Sequence, residues 1–201
     1  MTRWRVGVDA KPTNGILPDK PTIARQKEYQ HYSTGQPNTE FDFRRCFKSR
    51  ITGQSLAGDA KLRLATPDDN RDLARLNAEF NEVHVLPAQL SSRLANPHRV
   101  ETPIVAEVDN CIVGFASLRL VPCVFYDTPH AELTELFVQE AYRRRGIGRA
   151  LVAHAERLAC EGGATELFVL TGFTNRETQS LYHAMGYEDD RLAMCKALLG
   201  E

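Results

Sequence analysis

From Leu62 to Leu199 the apolar residues keep changing period, from every second residue to every third or fourth and back, which leaves few ways to fold. Leu62-Arg-Leu64-Ala alternates as a short strand. Thr66-Pro67-Asp68-Asp69 then has the residues that start a helix: an N-capping Thr, a Pro at the first helical position and carboxylates at the positive end of the dipole. Leu73, Leu76, Phe80 and Val83 continue at helical spacing, which predicts a helix over 67–83, and Pro87 to Leu94 predicts a second, shorter one. Pro103–Val108 and Cys111–Val121 flank the turn residues Asp109-Asn110, a hairpin pattern. Ala131–Val138 is strand-like, and Ile147, Leu151, Val152, Ala155, Leu158 and Ala159 form a helical stripe closed by Gly162-Gly163. Thr165–Leu170 predicts another strand, Asn175 caps a helix running to Met185-Gly186, and Arg191–Leu199 predicts a last strand. Strands and helices interleaved in this order predict the α/β class, of the α+β type, with a mixed central sheet and flanking helices.

Residues 1–60 are a different object. They contain Pro12, Pro18, Pro21 and Pro37 and no sustained apolar period, so they bury too little surface to offset the entropy of ordering them. They are expected to be an extension, largely irregular or disordered, before a domain over 61–201. Charge divides at the same place: ten Lys and Arg against six Asp and Glu before residue 61, fifteen against twenty after it. The whole chain carries a formal charge of −1, so no global field attracts nucleic acid or an anionic membrane, and neither is expected as a partner. No stretch reaches the ~18 uninterrupted apolar residues of a membrane span, and the sequence reads as a soluble, cytoplasmic protein. Its five cysteines are scattered and its six histidines form no ligand cluster, so buried thiols and no metal are expected.

The sharpest local feature is Arg143-Arg144-Arg145-Gly146-Ile147-Gly148-Arg149, between a strand and a helix. Two glycines admit a ligand to the backbone, and the unpaired amides of a first helical turn, with the dipole and four arginines, make an anion site. The same residues also suit a solvated helix start. No Gly-Lys-Ser/Thr follows, which excludes a P-loop, and Leu151 breaks the dinucleotide-binding glycine pattern.

On these residues the sequence resembles the GNAT superfamily of acetyl-CoA-dependent N-acetyltransferases. Arg143-Arg144-Arg145-Gly146-Ile147-Gly148 is similar to its Arg/Gln-x-x-Gly-x-Gly/Ala motif. Asn175 and Leu181-Tyr182-His-Ala-Met-Gly186-Tyr187 are similar to its second signature, and the likeness spans residues 62–199. It implies a GNAT-like fold in which amides 144–149 hold the coenzyme A pyrophosphate. It also implies that Leu136, Phe137 and Val138 run alongside the pantetheine arm, where two strands splay apart, and that the Leu136 amide faces the acetyl oxygen. Asn175 is implied at the arm and the Tyr182 hydroxyl at the sulfur, as general acid. Asn175 and Tyr182 are seven residues apart, two helical turns, and are expected on one face of one helix.

An alkylammonium must lose a proton before its nitrogen attacks, so a base is needed. Glu132 is the favoured candidate and Glu135 the other, on the opposite face by strand alternation unless the strand is bulged. The expected reaction is direct acetyl transfer to an amine, with neither metal nor acyl-enzyme. The acceptor is a small-molecule amine or a protein amine, met near residues 80–98 and the loop Val124–His130, which offer Glu82, His84, Tyr126, Asp127 and His130. A homodimer is possible on this reading. The alternative is a catalytically silent acyl-CoA-binding sensor or partner-binding module, which needs the glycine motif but neither glutamate nor Tyr182.

Overall fold

The computed structural model describes residues 60–196 and residue 198, so the expected extension over 1–60 lies outside the described residues but for Ala60. Five strands, β1 (Lys61–Leu64), β2 (Glu101–Val108), β3 (Cys111–Val121), β4 (His130–Val138) and β5 (Leu167–Val169), are hydrogen-bonded in the order β1-β2-β3-β4-β5. The first four pair antiparallel and β5 joins β4 in parallel, which makes the sheet mixed. Among the described residues four helices flank it: α1 (Asn70–Asn81), α2 (Pro87–Ala95), α3 (Ile147–Glu161) and α4 (Arg176–His183).

Each face of the sheet has its own apolar cluster. On one, Ile104, Ala106, Val113, Ala116 and Leu133 pack with Ile147, Leu151, Val152 and Ala155 of α3 and Tyr182 of α4. On the other, Val105, Ile112, Phe115 and Phe137 pack with Leu73 and Leu76 of α1 and Leu94 of α2. Local sequence sets the joints. Asp109 and Asn110 both have positive φ, 50° and 59°, the backbone of a hairpin turn matched to strand twist. Asp69 accepts two hydrogen bonds from Arg63, each 2.8 Å, and one of 2.7 Å from the Thr66 amide, tying β1 to the start of α1. The Arg63 guanidinium holds the Asp69 carboxyl below the usual carboxylate range.

Four expectations change. The predicted 67–83 helix is a 3-10 turn over Pro67–Asp69 followed by α1, and it ends at Asn81 because Glu82 turns left-handed at φ 56°, which leaves Val83 outside. The predicted strand over 191–199 is absent among the described residues: 191–196 make no ladder, and Leu192 and Met194 are exposed. The alternation there finds no neighbour, since β5 has only three paired residues instead of the six predicted. The cysteines are not buried either. Cys111, at the start of β3, and Cys195, in the strandless segment, are exposed, Cys123 and Cys160 are half-buried, and Cys46 lies outside the described residues.

Candidate active site

The site is organised by an irregularity in β4. Ser117 faces Glu135 across the β3–β4 ladder and the next residue, Leu118, faces Leu133, so Thr134 is an extra residue on β4. Its hydroxyl donates to the Ser117 carbonyl at 3.2 Å, which fixes the bulge. The bulge resets the alternation. Leu133 and Leu136, three apart, both pack on the α3 side, while Glu132, Glu135 and Phe137 share the α1–α2 side. The two glutamates therefore stand on the same face, the outcome alternation allowed only with a bulge.

Their surroundings separate them. Arg119 donates to Glu132 at 3.2 Å and to Glu101 at 2.9 Å, so Glu132 is one end of an ion-paired chain. Glu135 is half-buried, and burial pushes its carboxyl above the usual range. The nearby Glu101 charge adds to this, while a hydrogen bond with Asn81 and the Arg119 charge oppose it. Ser117, 5% exposed, has a buried hydroxyl with no hydrogen-bond partner among the described residues. Asn81, Ser117, Arg119 and Glu101 were not singled out from the sequence. A signal existed: Ser117 and Arg119 are alternate polar residues in an otherwise apolar strand, and so mark one face of it.

Pairing between β4 and β5 ends at Leu133↔Val169, whereas β4 continues to Val138. On that side Leu136, Phe137 and Val138 meet no strand among the described residues, so an edge with main-chain donors and acceptors is left open. The arginine loop follows it. Arg144 takes a left-handed φ of 62° and Gly146 one of 83°, and the Gly146 carbonyl accepts the first helical bond of α3, from Ala150. The amides of Ile147, Gly148 and Arg149 therefore precede any acceptor within the helix. A Cβ on Gly148 would meet Leu181 and Val138 at 3.8 and 3.9 Å, ordinary contacts, so the fold itself does not demand glycine there. Arg143 folds back on the Val138 carbonyl at 2.9 Å, Arg145 lies over the Tyr142 ring, Arg144 pairs with Glu177 of α4 at 3.2 Å, and Arg149 is exposed.

Tyr182 and Asn175 differ in exposure. Asn175 stands just outside α4, exposed, its side-chain oxygen accepting from the Thr178 amide at 3.2 Å. Tyr182 is 6% exposed, its ring centroid 5.3 Å from that of Tyr187, and burial pushes its hydroxyl up to about 12. Of the expected acceptor residues, His130 stacks on Phe168 at 5.0 Å, and Glu82, His84, Tyr126 and Asp127 are exposed. Among the described residues no group of His, Cys, Asp and Glu is placed to hold a metal ion, and no helix is long and apolar enough to cross a membrane.

The model of a family described as acetyltransferase (GNAT) matches residues 68–187. The chain is 36% identical over 88 residues to an uncharacterized N-acetyltransferase of Chlorobaculum tepidum, 42% of this chain and 48% of that protein, so it spans about half of that relative. It is 30% identical over 122 residues to the aminoglycoside N(6')-acetyltransferase type 1 of Serratia marcescens, 56% of this chain and 80% of the relative. An aminoglycoside acetyltransferase from an uncultured soil metagenomic sample has a TM-score of 0.62 at 21% identity, over 71% of this chain and 97% of its own. An aminoglycoside N-acetyltransferase solved in complex with CoA has a TM-score of 0.60 at 21% identity, over 70% and 95%. At such identities the structural likeness establishes the fold.

Proposed function

The chain belongs to the acetyltransferase (GNAT) family, and from that membership we propose that it moves the acetyl group of acetyl-CoA to a small-molecule amine by direct attack of nitrogen on the thioester carbon. The acceptor class follows the aminoglycoside acetyltransferases among the relatives. One observation carries the reading: past the bulge at Thr134 the β4 edge at Leu136–Val138 is open, beside the unpaired first-turn amides of α3, with Glu135 on one face of the sheet and Tyr182 on the other.

The residues suit the donor. An open strand edge matches the amides of a pantetheine arm, and the Gly146–Gly148 turn with the α3 dipole and the exposed arginines matches a pyrophosphate. When bound, acetyl-CoA supplies the activated acyl group. The Leu136 amide is assigned to the acetyl oxygen, where a fixed donor gains strength as negative charge develops.

Glu135 is assigned as the base in preference to Glu132. Arg119 engages Glu132, whereas burial makes Glu135 a stronger base than an ordinary carboxylate. It takes the ammonium proton, the free nitrogen attacks the carbonyl carbon from the α1–α2 side, the C–S bond breaks with the electron pair leaving on sulfur, and the second proton shed by the nitrogen as it becomes an amide passes through solvent to the thiolate. Tyr182, on the α3 side, keeps its proton at neutral pH and donates a hydrogen bond to the departing sulfur. The test is thiol release from acetyl-CoA across an amine library, with the acetylated product identified by mass. Calorimetric binding of acetyl-CoA without acceleration of thiol release by any amine would replace this reading with a silent binding module.

A further inference from the structure

One sheet face carries a row that crosses four strands. Glu101 of β2 faces Arg119 of β3, Arg119 faces Glu132 of β4, and Glu132 faces Phe168 of β5. Directly opposed residues point to the same side, so acid, base, acid and aromatic ring stand side by side. The ring is held by His130, stacked at 5.0 Å and 17°, and a cation is seated on it: the Arg191 guanidinium lies 4.6 Å from its centroid. Glu166 at 4.0 Å and Asp190 at 2.8 Å accompany that guanidinium. The adjacent row holds Glu135 and the buried, unpartnered Ser117 hydroxyl.

We propose that Phe168 is a second cation seat of the acceptor site, so that the preferred acceptor is a primary amine bearing another cationic group. The inference rests on the acetyltransferase reading. The reacting amine lies against Glu135, and the second cation lies over Phe168 beside Glu132. Strand spacing and rise put the Cα atoms of Glu135 and Phe168 about 8 Å apart, and that sets the span between the two charges. Three carboxylates against one guanidinium, Glu101, Glu132 and Glu135 against Arg119, leave this face negative. Arg191 stands in for the ligand. It is 65% exposed, on a segment with no ladder, so an acceptor cation displaces it readily.

The test compares 4-guanidinobutylamine, whose methylenes set its two cations roughly that far apart, with n-butylamine, which lacks the second charge. With the parent protein the guanidino compound is expected to have the lower KM. Phe168→Leu, which keeps apolar bulk but removes the π face, is expected to raise that KM about two- to fivefold and to move the n-butylamine KM less than twofold. Arg191→Gln, which removes the competing cation, is expected to lower the KM for the guanidino compound. Equal effects on both amines, or a higher KM on Arg191→Gln, would overturn the seat. Calorimetric titration of 4-guanidinobutylamine without acetyl-CoA separates the two ideas. Binding that weakens with Phe168→Leu supports the seat even if no amine is acetylated, and absence of binding overturns it even if other amines are.

Discussion

Replacing Tyr182 with Phe separates a chemical role from a packing role, because the ring stays and only the hydroxyl leaves. The ring is 6% exposed, in a cluster with Leu151, Val152 and Ala155, so a Phe retains its apolar contacts and Tm is expected to move by no more than about 3 °C. The effect on turnover follows from the hydroxyl acidity. Raised to about 12, it stays protonated by about five powers of ten at pH 7, yet it is a weaker acid than a thiol of ordinary pKa ~8.5. Complete transfer to the free thiolate is therefore uphill by about 5 kcal/mol. What remains is a hydrogen bond to the charge developing on sulfur, worth about 1.5–3 kcal/mol, a factor of about 10–150 in rate. Single-turnover acetyl transfer, followed by thiol release, is expected to slow by that factor with acetyl-CoA affinity unchanged. Intact single-turnover rate with a lost melting temperature would falsify the assignment and leave Tyr182 as a core residue.

Gly148→Ala is expected to fold normally, since its Cβ makes only ordinary contacts with Leu181 and Val138, and to weaken acetyl-CoA binding about tenfold or more by calorimetry. Unchanged affinity would remove the glycine turn from the site. Glu135→Gln is expected to lower kcat/KM about 10²-fold and to abolish the acid limb of its pH profile. Because burial raises the Glu135 pKa, folding holds its proton more tightly than the unfolded chain does, and stability falls as pH rises from the unfolded toward the folded pKa. The Gln variant should melt higher than the parent at neutral pH, with the gap closing below the ordinary carboxylate range; no gap at pH 7 refutes the buried charge. Asp69→Asn leaves Arg63 without its bidentate partner and is expected to cost about 1–3 kcal/mol in urea unfolding. Asp69 has the opposite sign: its depressed pKa stabilises the parent at neutral pH, and that contribution goes as pH falls through the folded value. A protein beginning at Gly58 is expected to transfer acetyl groups, and an inactive or insoluble one would extend the domain upstream.

Legible from the sequence alone were the parts whose cause lies within a few residues. Asp109-Asn110 suit left-handed backbone, Thr66-Pro67 open a helical turn, Gly146 carries a positive φ, and the stripe from Ile147 to Ala159 faces a core because its spacing matches one helix face. The motif residues and the α/β order were visible for the same reason. Tertiary structure decided the rest. No local pattern announces that Thr134 is a bulge, because a bulge is a mismatch between two strands. That mismatch turned Glu132 and Glu135 to one face, and the parallel pairing with β5 ends at Leu133, short of Leu136. Alternation in 191–196 reads as a strand, but a strand exists only where a neighbour offers hydrogen bonds, and none is offered there among the described residues. That Tyr182 is buried was decided by the packing of α4 against α3, while the Asn175 side chain at the exposed start of α4 accepts from the Thr178 amide. The row Glu101–Arg119–Glu132–Phe168 joins residues up to 67 positions apart, and it exists only because register, a property of paired strands, brings them side by side.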